Sequence, residues 1–258
     1  MPEQLWFTRI LNQAFAGPVD SLLAFVHRTL HLSVEPQYPQ APITNGVAME
    51  LVVFGLLLLM FVLVRSRLSV ESPDGLQHVF ELFNGFIEGQ ARDVIGHHSE
   101  RYIPFLVTLG YFILISNLLG IIPGMESPTA DKVVPLGCAL CVFIYYHAHG
   151  FRHAGIGYLK HFLGPFDSST PTYIRVPVGL LMLVIEPISH LARVISLTVR
   201  LYGNIFAGDM VTLVFLSLIP IAVPVVFIGL HIGVALIQTY VFVLLAIVYL
   251  GGAVVEQH

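Results

Sequence analysis

The amino-acid sequence predicts an all-α, polytopic membrane protein: about five membrane helices, a surface amphipathic helix, and a last pair of helices that are long and steeply tilted. Three observations carry this. The 258-residue chain is 56% hydrophobic and only 11% charged, against about 25% charged residues in a soluble domain. Apolar runs long enough for a hydrocarbon layer of roughly 30 Å recur along it. The stretch 176–255 holds only four formal charges, Glu186, Arg193, Arg200 and Asp209. A globular enzyme with an aqueous surface is excluded. The net charge of −4 comes with no basic block, so nothing favours nucleic acid. The first 45 residues lack the compact apolar core behind a basic start that marks a cleavable signal peptide.

Residues 1–42 mix apolar and polar residues with Pro18, Pro36, Pro39 and Pro42. They read as a peripheral N-terminal tail with one or two short amphipathic pieces. Residues 43–255 read as a single membrane domain. Its first crossing, about 43–64, ends at Arg65 and Arg67, with Glu50 near the start at an interface depth. A surface helix is predicted at about 72–95. Ser72 suits the cap and Pro73 the first helical position. Leu76, Val79, Phe80, Phe83, Phe86, Ile87 and Val94 form its apolar stripe, with Gln77, Glu81, Asn84, Glu88 and Arg92 largely outside it.

The second crossing, about 103–122, carries no charge. After the turn GIIPGMESPTADK, a third at about 133–149 ends in YYHAHG, an aromatic and histidine fringe at headgroup level. His147, His149 and His153 are too loosely spaced for a metal site and read as headgroup-level polar residues. Cys138 and Cys141 form a C-x-x-C inside an apolar run, without the βαβ context of a redox motif. They read as small buried hydrophobes. Residues 150–175 are a polar connector.

The last pair spans about 177–217 and 221–255. About forty residues of helix are roughly 60 Å long, twice the hydrocarbon thickness. Such a helix must tilt by about 45–60°, unless Pro187 breaks it. Lys and Arg crowd segment 65–101 and connector 150–175, whereas turn 120–132 has only Lys132 and the turn near 217–224 has none. The richer connectors belong in the cytoplasm. Five crossings then put the N-terminus outside and the C-terminus in the cytoplasm.

At 100° per residue, Glu186, His190, Arg193, Arg200 and Asn204 share a wedge under about 90° wide. Asp209 falls on another face. On the last helix His231 and Gln238, seven apart, share a face. If Arg200 sits level with Gln238, Asp209 and His231 meet on the outer side, and Glu186 lies about 21 Å from Arg200 toward the cytoplasm. A charge at the bilayer centre costs at least about 2.5–3.5 kcal/mol. Four on one helix, beside histidines, point to water-filled clefts and an ion pathway. The plainer reading is a set of buried ion pairs that lock helices together.

The stretch ISLTVRLYGNIFAGDMV (195–211) resembles the signature of the a subunits of F-type ATP synthases, in their membrane sector. ILISNLLGIIPG (113–124), GYLKHFLGP (157–165), EPISHLARVISL (186–197) and LIQTYVFVLLAIVYL (236–250) fit that family in the same order. The match covers roughly 40–252, and the motif around the arginine is the specific part.

The resemblance implies a proton-translocating stator subunit beside a rotating ring of c subunits, each ring subunit carrying one carboxylate at mid-membrane. It implies two offset half-channels, with Arg200 as the essential charge between them at the ring interface. Glu186, His190, Arg193, Asn204, Asp209, His231 and Gln238 are then the proton pathway, Gln238 orienting the Arg200 guanidinium. Asp209 is a methylene shorter than the glutamate often found there. Arg193 replaces a lysine of some members, and Gly120 an aspartate.

Further implied partners are peripheral-stalk b subunits, other ATP synthase subunits and the lipid of a bacterial inner membrane. No cofactor and no metal is expected. No phosphate-binding glycine loop appears, so ATP chemistry falls to other subunits and the chain is not an enzyme by itself. The competing reading is a channel or secondary ion transporter subunit without a rotor, although no internal repeat supports it.

Overall fold

The computed structural model describes residues 5–30, 42–67, 75–96, 99–122, 124–158, 172–218 and 222–254. All regular structure among them is helical: α1 (Trp6–Leu30), α2 (Asn45–Arg67), α3 (Gly75–Ile95), α4 (Ile103–Leu119), α5 (Val133–Ala154), α6 (Thr172–Leu218) and α7 (Ala222–Val254), with short 3₁₀ turns between some of them. Stretches of α2, α5, α6 and α7 are long and apolar enough to cross a membrane. α4 is apolar but has only 17 residues, about 26 Å of helix. It matches the uncharged run expected at 103–122, and among the described helices it is the shortest candidate for a crossing.

Where short pieces were expected in the N-terminal tail, α1 is one helix of 25 residues that runs through Pro18. A proline forfeits one backbone hydrogen bond and crowds the preceding turn; it does not forbid helix. Asn12 fastens α1 to the start of α2. Its Nδ2 donates to the Ile43 carbonyl and its Oδ1 accepts from the Ile43 N–H, both at 3.0 Å. That pairing satisfies a buried stretch of main chain that no helix serves.

The apolar stripe of α3 is divided. Phe80, Ile87, Ala91 and Ile95 turn into the bundle, whereas Val79, Leu82 and Phe86 are exposed. Tyr111 of α4 lies against Phe80 and Phe83 at centroid distances of 5.0 and 4.4 Å. Its hydroxyl reaches the Phe80 carbonyl and the Asn84 side chain. The predicted cap at Ser72 and Pro73 lies outside the described residues.

α7 is the central helix and packs against α3, α4, α5 and α6. Phe242, Val243, Ala246, Ile247 and Leu250 on it join Leu106 and Ile113 of α4 and Leu197, Leu201 and Ile205 of α6 in one core. α6 packs on α5, on α7 and on the 3₁₀ turn Pro128–Ala130. Just 17% of its membrane-crossing window is buried, against 39% for α5 and for α7. α6 is continuous for 47 residues through Pro177 and Pro187, so Pro187 does not break it. In apolar surroundings an interrupted ladder has no water to turn to, and retaining the remaining helical bonds is favoured.

Candidate functional site

Three side-chain pairs set the register of α6 against α7. Phe215 stacks on Phe227 at 4.4 Å, Asp209 Oδ1 stands 3.7 Å from His231 Nδ1, and Asn204 Nδ2 donates to Gln238 Oε1 at 2.7 Å. The helices are antiparallel, and both advance eleven residues from the first pair to the third. The sequence had supposed Arg200 level with Gln238. The structure puts Asn204 there, and Arg200 lies one helical turn, about 6 Å, further along α6. Gln238 is therefore engaged by Asn204, not by the guanidinium it was expected to orient. The meeting of Asp209 with His231 survives, because a shift of one turn leaves the same face of α6 toward α7.

Gly208 makes room for this pairing. A Cβ there would stand 3.0 Å from His231 Nδ1. His231 is buried and Asp209 is partly exposed. A cleft of about 350 Å³ opens between the two helices, lined by Asn204, Gly208, Thr212, His231 and Gln238 among others. Nε2 of His231 and Nε2 of Gln238 are buried without a hydrogen-bond partner. A buried polar atom left unmatched costs roughly 1–3 kcal/mol, so these two nitrogens mark the polar wall of an otherwise apolar cleft.

The other group lies where α6 crosses α5. His190 is buried, its Nε2 3.6 Å from Glu186 Oε1 one turn away. On its other side Nδ1 is 2.8 Å from the hydroxyl of Tyr146 on α5. The ring of His147 stands 4.6 Å from that of His190, and His147 Nδ1 is 3.0 Å from the Tyr158 hydroxyl. Arg193 lies over the ring of Tyr249 on α7, 5.0 Å from its centroid.

Tyr158 comes close because residue 150 is glycine: a Cβ there would meet the phenol ring at 2.5 Å. Burial pushes the Tyr158 hydroxyl above its usual pKa, opposed by the Arg193 charge and aided by Glu186. It is neutral at physiological pH and shares a hydrogen bond with His147 Nδ1.

Sequence reasoning had left His147 at headgroup level with His149 and His153. His147 instead belongs to this cluster, as do Tyr146 and Tyr158, which were not singled out. The one signal in the sequence was the crowding of aromatic and imidazole groups in YYH. No group of three metal-ligating side chains occurs among the described residues.

The wedge predicted on α6 is thus divided. Glu186 and His190 lean on α5, and Asn204 binds α7. Arg200 is exposed, with no hydrogen bond or ion pair to its guanidinium among the described residues. On the same helix Leu191, Ile195, Val199 and Phe206 are also exposed. A permanent cation left exposed and unpaired on an apolar helix, between two clusters of ionisable side chains, is the feature that sets this chain apart from a bundle locked by ion pairs.

The sequence model of the ATP synthase A chain matches residues 47–251. The chain belongs to that family. It is similar over its whole length, and that of the relative, to ATP synthase subunit a of Koribacter versatilis (strain Ellin345), at 53% identity. Subunit a of Solibacter usitatus (strain Ellin6076) is 45% identical over 85% of this chain and 91% of the relative. That of a Sulfurihydrogenibium species (strain YO3AOP1) is 36% identical over 81% and 96%. The resemblance read from the arginine motif is confirmed. The all-helical, multi-pass architecture fits an ATP synthase A chain, and the family match takes in the helices from α2 to most of α7. α1 lies ahead of the matched region.

Proposed function

We propose that this chain is the proton-translocating stator subunit of an F-type ATP synthase, forming two offset half-channels to the carboxylates of a rotating c-ring, with Arg200 between them. The observation that carries the reading is the exposed, unpaired guanidinium of Arg200 on an apolar, largely unburied α6. A lone charge facing lipid would cost at least about 2.5–3.5 kcal/mol. A partner that brings a carboxylate to it turns the cost into an attraction.

Along α6, Asp209 lies about 13 Å from Arg200 in one direction and Glu186 about 21 Å in the other. A proton enters from outside past Asp209 and His231 into the α6–α7 cleft, whose volume holds several waters at about 30 Å³ each. Imidazole is the side chain whose unperturbed titration lies nearest neutrality, which suits a relay. The proton neutralises a ring carboxylate, and the neutral carboxyl then moves into lipid without the cost of a buried charge.

After nearly a full turn the carboxyl meets the inner cleft and releases its proton past His190 and Glu186. At Arg200 the opposite charge lowers a carboxylate's pKa by about 1–3 units. It attracts the carboxylate by about 4 kcal/mol at 4 Å and an effective dielectric of 20. That holds the arriving group ionised and still lets it leave. The guanidinium never deprotonates in this range, so it relays nothing and repels a proton that would pass straight between clefts.

α6 is about 70 Å long and must tilt steeply to keep its apolar 40-residue span within the bilayer. A tilted, largely unburied helix suits the curved flank of a ring. The remaining partners under this reading are peripheral-stalk b subunits and the rest of an ATP synthase. The membrane is a bacterial inner membrane, with the N-terminus outside and the C-terminus in the cytoplasm.

The test is reconstitution. The chain alone in vesicles should be proton-tight, and the assembly purified through it should contain a ring of small hairpin subunits and pump protons on ATP hydrolysis. Conduction by the isolated chain, with no ring in the assembly, would favour a channel or secondary transporter.

A further inference from the structure

Tyr146 belongs to no assigned pathway, yet its hydroxyl is the closest polar partner recorded for His190, at 2.8 Å. Both side chains are buried, so each must settle its hydrogen bonds within the cluster. Their rings also stack at 5.7 Å, which fixes their relative placement. The polar neighbours are few among the described residues. α6 supplies Glu186 and Arg193, α5 supplies His147, the turn after α5 supplies Tyr158, and α7 supplies Tyr249.

Nε2 of His190 faces Glu186 Oε1 at 3.6 Å, and a carboxylate oxygen only accepts, so the proton of the neutral ring belongs on the nitrogen turned to it. Nδ1 is then the acceptor, and the Tyr146 hydroxyl, 2.8 Å away and able to donate or accept, donates to it. An imidazole nitrogen that accepts a hydrogen bond carries no proton, so this bond keeps the proton of the neutral ring on Nε2.

We propose that Tyr146 is a positioning residue of the inner proton pathway: its hydroxyl fixes His190 as the Nε2–H tautomer and so aims an N–H at the Glu186 carboxylate. This rests on the pathway reading above and adds the group that orients it. The consequence is directional. A proton reaching Glu186 binds a carboxylate whose charge is stabilised by an N–H already turned toward it. His190 takes part by holding its proton at Nε2 and needs no ring flip. The geometry resembles the way a second hydrogen bond sets the tautomer of a metal-bound histidine, with a carboxylate in place of the metal.

The test uses the whole ATP synthase complex in vesicles, carrying Tyr146→Phe, which keeps the ring and removes the hydroxyl. The pH profile of ATP-driven proton pumping should move by roughly half a unit to one unit, the size of one hydrogen bond. A merely structural tyrosine would change the amount of assembled complex and leave that profile in place. A profile superimposable on the parent's overturns the proposal.

A second readout needs no variant of Tyr146. In ¹⁵N-histidine-labelled complex, the His190 signals, identified by their loss in His190→Gln, should show a bare Nδ1 and a protonated Nε2. A proton on Nδ1 overturns the proposal even if Tyr146→Phe fails to assemble. The pathway reading fails separately, by normal pumping in Arg200→Ala, and that result leaves the tautomer measurement standing.

Discussion

His231 Nδ1 stands 3.7 Å from Asp209 Oδ1 across the α6–α7 interface. The ring reaches the carboxylate because the residue before Asp209 has no side chain. Paired cysteines at 209 and 231 should therefore crosslink under mild oxidation, or bind one cadmium ion that blocks pumping. Absence of both would require another register for the two helices.

Gly208→Val should impair the same site while Asp209 and His231 remain. Even a Cβ at 208 stands 3.0 Å from His231 Nδ1, and overpacking of this kind costs about 1–3 kcal/mol. The expected outcome is assembled complex with proton pumping lowered about tenfold or more, since 1.4 kcal/mol is a factor of ten. Pumping at the parent rate would show that the ring has room to spare.

Asn204→Ala should remove the donor that engages Gln238. The amide of Gln238 is buried, and its Nε2 has no other hydrogen-bond partner. Loss of the remaining bond leaves a buried carbonyl unmatched, at a cost of about 1–3 kcal/mol. Thermal denaturation of the purified complex should show the drop, and an unchanged midpoint would show that the bond adds nothing to stability.

Asn12→Ala should loosen α1 from the mouth of α2. Both hydrogen bonds to Ile43 go at once. Faster tryptic cleavage after Arg28 in the purified complex is the expected result, with pumping in vesicles little changed. Unchanged cleavage would mean that other contacts hold α1.

Much of this architecture was legible in the sequence because hydrophobic run length and helical period are local properties. The crossings, the amphipathic α3 and the face shared by His231 and Gln238 follow from them. The pairing of Asp209 with His231 was legible too, since an antiparallel pair with a short turn leaves few registers. The choice among those registers was not. Arg200 and Asn204 are four residues apart on one face, and only side-chain fit selects Asn204 for Gln238.

The partnership of Tyr146 with His190 lay beyond sequence reasoning for another reason. The residues are 44 positions apart, on two helices joined by a long connector. Their meeting depends on how α5 crosses α6, which the packing of many other side chains decides. Pro18 runs inside a longer helix than expected, and Pro187, which the sequence left open as a break, does not interrupt α6; each weakens a helix locally, and neither cost outweighs the surrounding bonds.

The most direct test of the central idea is ATP-driven proton pumping by complexes that carry Arg200→Ala in sealed vesicles. The variant should assemble with its ring and pump nothing, while its membranes leak protons or stall ATP turnover. Pumping at the parent rate with position 200 uncharged would contradict the account.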